Sequence, residues 1–206
     1  MTCCFCESLQ GLCPRSSANP SPRTPLGHSP ADQPFAAFYI DIVGGQGSLS
    51  LGESLKSNLT MIDGLTGWAE AVQIADQSAP TVARALYTEW ISRNGVPEHL
   101  HSDRGVQFES AVFAELCALL GIEKTRTTPY RPQANGTCER LNQTLISMLR
   151  RAVQKRPYDW EPLLSPVLQA YRSTISEATG FTPYRLTFGR EMRLPIDLGT
   201  PLSEPP

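Results

Sequence analysis

The order of strand-like and helix-like segments between residues 35 and 192 most constrains the fold of this chain. Three strand-like segments come first, and the Asp63-Gly64 and Thr66-Gly67 pairs between the second and the third are typical of hairpin turns. Helix-like segments then alternate with short strands, and strands that are joined through a helix run parallel. The pattern predicts an α/β fold with a five-stranded mixed sheet, three antiparallel strands and then two parallel ones, flanked by helices.

Turn residues, Gly and Pro stops and Ser caps set the predicted bounds of the elements. The predicted strands are Phe35–Val43, Leu59–Ile62, Trp68–Ile74, His99–Ser102 and Lys124–Thr127. The predicted helices are Ser78–Asn94, Ser110–Leu120, Thr137–Gln154 and Trp160–Ser173, with a short last helix from Pro183.

Composition divides the chain into three parts. Residues 1–34 hold Cys3, Cys4, Cys6 and Cys13 and then a proline-rich run, which predicts a cysteine-rich remnant followed by a linker. Residues 35–194 form the predicted core domain, and residues 195–206 form a proline-rich tail. The sequence has no apolar run long enough for a membrane span and no secretory signal, so we expect an intracellular chain with free or metal-binding thiols.

Charge is distributed unevenly along the chain. The net charge of the whole chain is −2, which by itself predicts no nucleic-acid binding. The segment from Lys124 to Arg156, in contrast, carries eight basic residues and one acid, Glu139, for a net charge of +7. This segment is either a solvated basic helix face or a strip that follows a phosphate backbone around Glu139.

Three acids stand out by position. Asp41 lies in an apolar run near the end of the first predicted strand, Asp103 follows a short strand, and Glu139, separated from Asp103 by 35 residues, lies near the start of a helix. Helix geometry places Glu139 about 130° from the centre of the apolar face of that helix, so its side chain is free to reach a site. Carboxylates on separate elements suit a two-metal phosphodiester site, although the helix dipole alone also favours an acid in a first turn.

Other candidate ligands have simpler interpretations. Asp63 precedes a turn, where Asp is common for its hydrogen bonds to the backbone, and Glu109 is expected to begin the next helix. His99 and His101 share a strand face without further predicted partners, so the pattern does not favour a metal site there.

The frames around the three acids together resemble the catalytic core of retroviral-type integrases, most closely the Ty3/Gypsy branch of long-terminal-repeat retrotransposons. The resemblance extends from about Phe35 to Pro195. The matching frames are Tyr39-Ile40-Asp41-Ile42-Val43-Gly44, Met61-Ile62-Asp63-Gly64-Leu65-Thr66-Gly67-Trp68, Ser102-Asp103-Arg104-Gly105-Val106-Gln107-Phe108, Thr128-Pro129-Tyr130-Arg131-Pro132-Gln133-Ala134-Asn135-Gly136-Thr137-Cys138-Glu139, and Thr179-Gly180-Phe181-Thr182-Pro183-Tyr184.

The resemblance implies an RNase H-like fold and a metal-binding catalytic triad of Asp41, Asp103 and Glu139 that uses Mg²⁺ or Mn²⁺. It implies DNA 3′-processing and strand transfer, DNA as partner, a homodimer and a nuclear location. Tyr130–Gly136 would be the mobile catalytic loop. The expected DNA-contacting residues are Arg131, Gln133, Asn135, Arg140, Gln143 and Arg150. The alternatives are a non-catalytic DNA-binding or interaction remnant and an RNase H-type nuclease.

The chain also departs from the family pattern. Gly45 stands where a proline is usual, and Arg131 stands where a histidine is usual. Cys3 and Cys6 have the spacing of half a zinc module, but no His pair precedes them, so the sequence does not favour zinc binding. We therefore expect an isolated core without the terminal domains of a full integrase.

Overall fold

The computed structural model describes residues 33–44, 57–126, 132–153 and 161–195, together with Asp197. The predicted cysteine-rich remnant and most of the predicted linker and tail lie outside these residues, as do Gly45 and Arg131. The three-part division of the chain therefore stays a prediction, and the fold is that of the central part.

Five strands form one mixed sheet, as the sequence predicts. The spatial order is β3-β2-β1-β4-β5; β1 pairs antiparallel with β2, and β2 with β3, whereas β1 and β4, and β4 and β5, pair in parallel. The strands are β1 (Ala37–Val43), β2 (Ser57–Asp63), β3 (Ala69–Ile74), β4 (His99–Ser102) and β5 (Glu123–Arg126).

Helices follow the strands in the predicted order. They are α1 (Ala79–Leu86), α2 (Ala111–Leu120), α3 (Pro132–Val153), α4 (Leu164–Ser173) and α5 (Pro183–Phe188). A π-helical stretch, Tyr87–Ile91, extends α1 into a last turn, Ser92–Asn94, and a 3₁₀ turn, Glu161–Leu163, precedes α4. In the part of the chain that is described, no helix is both long and apolar enough to cross a membrane.

Local sequence explains where α2 begins and ends. The Ser110 side chain accepts a hydrogen bond from the backbone N–H of Phe113, which satisfies one of the free donors of the first turn. Gly121 ends the helix at a φ of 70°, a left-handed conformation that favours glycine. Glu109 therefore lies just before the helix rather than at its start, and its carboxylate pairs with Lys124 Nζ at 2.8 Å.

The start of α3 differs from the prediction. The helix begins at Pro132, five residues before the predicted Thr137, so the part of the expected catalytic loop from Pro132 to Gly136 is helical. Proline suits a first helical position because its fixed φ matches the helix and its missing N–H has no partner there. Tyr130, at the start of the expected loop, lies outside the described residues.

Helices cover both faces of the sheet and create two apolar clusters. On one face, Phe38, Ile40 and Leu100 pack with α1 and α2, where the buried Trp90 stacks on Phe38 at 4.9 Å between ring centroids. On the other face, α3 and α4 pack against β2 and β3. Because side chains alternate along a strand, β1 directs Phe38 and Ile40 to the first face and Tyr39 and Asp41 to the α3 face.

Candidate functional site

The sheet brings Asp41 and Asp103 to neighbouring positions. In the parallel pairing of β1 with β4, Ile40 stands opposite Ser102. The next residue along the chain is an aspartate in both cases: Asp41 lies in the second half of β1, and Asp103 directly follows β4. The two carboxylates therefore arise side by side, toward the C-terminal ends of two adjacent strands. This agrees with the expectation that separate strands deliver them, and ligand sites of open α/β sheets lie at such carboxyl ends.

The third acid comes from α3, which packs across this face. Cys138, Leu141, Leu145 and Leu149 are buried, and the partly buried Met148 and Ala152 pack against the same cluster. Glu139 is exposed beside the buried Cys138. The helix-face prediction for Glu139 is therefore confirmed: its side chain lies off the buried face.

Electrostatics shows that the three acids share one neighbourhood. Burial, together with smaller contributions from the charges of Asp103 and Glu139, raises the pKa of Asp41 from about 3.8 to about 6, against the opposing effect of its hydrogen bonds to Ile42 and Asn142. Burial also raises the pKa of the Cys138 thiol well above its usual range, with added contributions from Asp41, Asp103 and Glu139. The charges of all three carboxylates therefore contribute to the raised pKa of the Cys138 thiol.

Asn142 is a site residue that the sequence reasoning missed. Its Nδ2 donates a hydrogen bond of 2.9 Å to Oδ2 of Asp41, while the other oxygen, Oδ1, accepts one from the Ile42 N–H at 2.8 Å. Asn142 is buried one turn beyond Cys138, on the apolar face of α3. A polar amide at an apolar-face position was the available signal, because a buried amide requires a polar partner.

A tight turn fixes Asp103. Its Oδ1 accepts a hydrogen bond of 2.9 Å from the backbone N–H of Gly105. Any Cβ on residue 105 would overlap the Gln107 side chain and would come within 3.0 Å of Oδ1 of Asp103. Glycine therefore allows the chain to fold back against the carboxylate.

The donor chemistry of the three acids fits a hard divalent cation. Three carboxylates offer the oxygen ligands that Mg²⁺ prefers. The raised pKa of Asp41 is caused mainly by burial and to a smaller extent by the charges of Asp103 and Glu139, which a cation would neutralise. Among the described residues, no salt bridge reaches Asp41, Asp103 or Glu139. Within the same residues, however, no three acidic, His or Cys side chains already stand in a metal-ligand arrangement. Asp41, Asp103 and Glu139 would hold the ion after side-chain adjustment.

The outer face of α3 carries the expected DNA contacts that are described. Arg140, Gln143 and Arg150 are exposed. A cleft of about 380 Å³ lies along this face and is lined by Gln143, Ile146, Ser147, Arg150 and Arg151. Arg131 lies outside the described residues; Gln133 and Asn135 lie in the first turns of α3, and their side chains are not described.

The competing candidates make structural contacts. Asp63 is fully buried, and its carboxylate accepts hydrogen bonds from the N–H of Phe35 and from the N–H and hydroxyl of Thr66. His99 Nδ1 lies 3.5 Å from the Glu123 carboxylate, and His101 Nδ1 lies 3.0 Å from the Thr125 hydroxyl. The turn role predicted for Asp63 is confirmed.

The raised pKa of Asp41 predicts a pH-dependent stability of the metal-free chain. Between pH 4 and pH 6 the folded state binds more protons at Asp41 than the unfolded state, so the free energy of unfolding should fall as pH rises. At about 1.4 kcal/mol per pKa unit, the contribution reaches up to about 3 kcal/mol. Urea unfolding at several pH values, compared with Asp41→Asn, measures it. An identical pH profile for the two proteins would contradict the assignment.

Comparison with known proteins identifies the family. Residues 31–132 match the model of the integrase core domain. The chain is 30% identical over 195 residues to the Pro-Pol polyprotein of feline foamy virus, which covers 95% of this chain and 16% of that protein. It is 31% identical over 137 residues to the Pol polyprotein from transposon 412 of Drosophila melanogaster, covering 66% of this chain and 11% of that protein. The chain thus spans less than a fifth of the length of these relatives.

Solved structures agree with this result. The catalytic core domain of BIV integrase is 28% identical, with a TM-score of 0.60 over 74% of this chain and 93% of that one. An HTLV-2 integrase catalytic core in complex with magnesium shares the fold at 18% identity, with a TM-score of 0.62 over 74% of this chain and 95% of that one. The fold is RNase H-like, as expected. The chain therefore belongs to the integrase core domain family of retroviral and retrotransposon Pol polyproteins.

Proposed function

We propose that this chain is a divalent-metal-dependent polynucleotidyl transferase core that processes DNA 3′ ends and joins them to a second DNA. The proposed catalytic and metal-binding residues are Asp41, Asp103 and Glu139. The observation that carries the proposal is that the register of β1 and β4 sets Asp41 and Asp103 side by side, while Asn142, on the same helix as Glu139, donates a hydrogen bond to Asp41. Family membership supports the reaction class, and the magnesium complex of a protein with the same fold supports Mg²⁺, or Mn²⁺, as the cofactor.

The protein groups hold the carboxylates in place. Asn142 and the Ile42 N–H bind the two oxygens of Asp41, and the Gly105 N–H binds one oxygen of Asp103, so both side chains are oriented before any ligand arrives. Each bound oxygen keeps a lone pair for a further partner. Divalent ions held there would stabilise the attacking and leaving oxygens of an in-line displacement at phosphorus. The attacking group is water when a DNA end is cut and a DNA 3′-hydroxyl when strands are joined.

The exposed face of α3 is the proposed DNA contact. Glu139, Gln143 and Arg150 lie near one line of the helix, and Glu139 and Arg150 are about 16 Å apart along its axis. A strand that reaches the carboxylates can therefore follow this line with its phosphates next to Arg150. Arg140, on the neighbouring line, and Arg131, Gln133 and Asn135, at or just before the start of α3, are proposed as further contacts.

An assay on branched DNA tests the proposed function. The purified chain, with Mg²⁺ or Mn²⁺, is given a branched duplex that mimics a joined product, and we expect it to reverse the joining and release the linear strand. Glu139→Gln should lose this activity, whereas Glu115→Gln, which alters an exposed acid on α2, should keep it. Equal activity of the two variants would contradict the role given to Glu139.

Two other outcomes would favour the alternatives. Binding of divalent ions and DNA without cleavage of any substrate would indicate a non-catalytic interaction module. Cleavage of RNA–DNA hybrids in preference to branched DNA would indicate an RNase H-type nuclease.

Assembly and location follow from the same proposal. HTLV-2 integrase cores with this fold have been solved in dimeric and trimeric forms, and we propose that this chain forms a homodimer. Sedimentation of the purified chain measures its oligomeric state. Because the proposed substrate is DNA, we propose the nucleus as its place of action.

A further inference from the structure

An uncharged side chain lies close in sequence to each of the three carboxylates. Tyr39 precedes Asp41 by two residues on β1, so the two share a sheet face, and His101, on β4, precedes Asp103 by two residues. Cys138 directly precedes Glu139 on α3. None of these three side chains has a role in the proposed reaction.

Tyr39 and His101 contact each other across two strands. They are register partners in the parallel pairing of β1 with β4. Their rings meet edge to face, with centroids 5.4 Å apart and planes inclined by 65°. His101 Nδ1 lies 3.0 Å from the Thr125 hydroxyl, which extends the contact to β5. Aromatic pairs of this kind prefer a defined geometry, so the pair fixes the spacing of the two strands.

Tyr39 also connects the sheet to α3. Its ring packs against the apolar cluster that contains Cys138. At the β2–β3 turn, a Cβ on residue 64 would come within 3.0 Å of the Tyr39 ring, so Gly64 permits this close packing. The ring is therefore confined between the turn and the helix.

We propose that Tyr39, His101 and Cys138 form a positioning layer that sets the relative places of Asp41, Asp103 and Glu139. The layer rests on the proposed function of the three carboxylates and adds positioning residues to it. It joins β1, β4 and α3, the three elements that carry the acids, at a distance of one or two residues from each acid. The rest of the contact between α3 and the sheet is mostly aliphatic.

Removing a residue of the positioning layer is expected to weaken cation binding, because metal ligands must be held in a defined geometry. Groups that orient metal ligands from the next shell typically change metal affinity or activity about 10- to 100-fold when removed. A displacement of about 1 Å in a reacting group can cost a similar factor. Loss of the Tyr39 ring should therefore weaken cation binding much more than the loss of an equivalent ring elsewhere in the same cluster.

Tyr171 supplies that matched control. It lies on α4, is partly buried, and packs against the same apolar cluster without adjoining a carboxylate in sequence. We would compare Tyr39→Ala, Tyr39→Phe and Tyr171→Ala with the unaltered chain in two measurements. The first is Mn²⁺ affinity by calorimetry, and the second is hydrogen exchange of the amides from Cys138 to Asn142 in metal-free protein.

Tyr39→Ala should weaken Mn²⁺ binding about tenfold or more and speed exchange at Cys138–Asn142, while Tyr39→Phe should remain within about threefold of the unaltered chain. Tyr171→Ala should leave both readouts near their original values at temperatures where it is folded. Equal effects of Tyr39→Ala and Tyr171→Ala, or no effect of Tyr39→Ala, would overturn the positioning layer. If the unaltered chain binds no Mn²⁺ but Tyr39→Ala still speeds exchange at Cys138–Asn142, the proposed metal-dependent function fails while the positioning of α3 by Tyr39 stands.

Discussion

Replacing Asp103 with Asn should reduce strand joining and its reversal at least about a hundredfold while leaving the chain folded. Removing this negative charge removes an anionic oxygen ligand from the proposed cation site. A bound ion contributes several kcal/mol to stabilising a phosphoryl transition state, and each 1.4 kcal/mol corresponds to a tenfold change in rate. The branched-DNA assay, under single-turnover conditions with Mg²⁺ and with Mn²⁺, measures the loss.

The fold should survive this substitution for a local reason. Oδ1 of Asp103 accepts the Gly105 N–H, and an Asn side chain retains a carbonyl oxygen that accepts the same bond. Thermal unfolding of Asp103→Asn should therefore stay close to that of the unaltered chain. Glu115→Gln serves as the matched loss of one negative charge at an exposed position. Activity of Asp103→Asn within a few-fold of Glu115→Gln would refute the role of Asp103.

Local sequence rules predicted the sheet and the face of α3 because both depend on short-range periodicity. Apolar alternation and turn pairs identified the strands, and the spacing of apolar residues placed Glu139 beside, rather than within, the buried face. The two aspartates could be assigned to strand ends for the same reason. Their meeting at one edge then followed from parallel pairing of β1 with β4.

The start of α3 was missed because tertiary packing outweighs local propensity there. Asn135 and Gly136 are weak helix formers, and glycine costs about 1 kcal/mol relative to alanine in a helix. In a helix of 22 residues with an apolar face packed on the sheet, that cost is offset by burial elsewhere. Local rules therefore placed the boundary after these residues, whereas the folded chain carries them within the helix.

Asn142 and the π-helical stretch were missed for other reasons. The position of Asn142 on the apolar face of α3 indicates that it is buried, but its partner, Asp41, lies 101 residues away, so no local pattern identifies that partner. The π-helical stretch Tyr87–Ile91 places Trp90 and Ile91 in the core, where Trp90 packs against Phe35 and Phe38 from a different part of the chain. In both cases the decisive information lies in contacts with other elements.

Asp63→Ala is expected to cause a large loss of stability. Asp63 is fully buried, and its carboxylate accepts hydrogen bonds of 2.9 Å from the Phe35 N–H, 2.8 Å from the Thr66 N–H and 2.7 Å from the Thr66 hydroxyl. These bonds connect Phe35, just before β1, to the turn between β2 and β3. Alanine would leave buried donors unpaired, at about 1–3 kcal/mol for each such group, so we expect a loss of about 3 kcal/mol or more.

For a chain of this size, 1 kcal/mol shifts the melting temperature by about 2–4 °C, so Asp63→Ala should lower it by about 6–12 °C. Asp76→Ala is the matched control, because Asp76 also accepts a backbone N–H, that of Ser78 at 2.8 Å, but from an exposed position. Because water can replace that bond, the melting temperature of Asp76→Ala should stay close to that of the unaltered chain. Calorimetric scans of both variants measure the two melting temperatures. Equal decreases for Asp63→Ala and Asp76→Ala would contradict the claim that the burial of Asp63 makes its hydrogen bonds important for stability. A larger decrease for Asp63→Ala than for Asp76→Ala would show that Asp63 stabilises the fold, a role different from the one proposed for Asp41, Asp103 and Glu139.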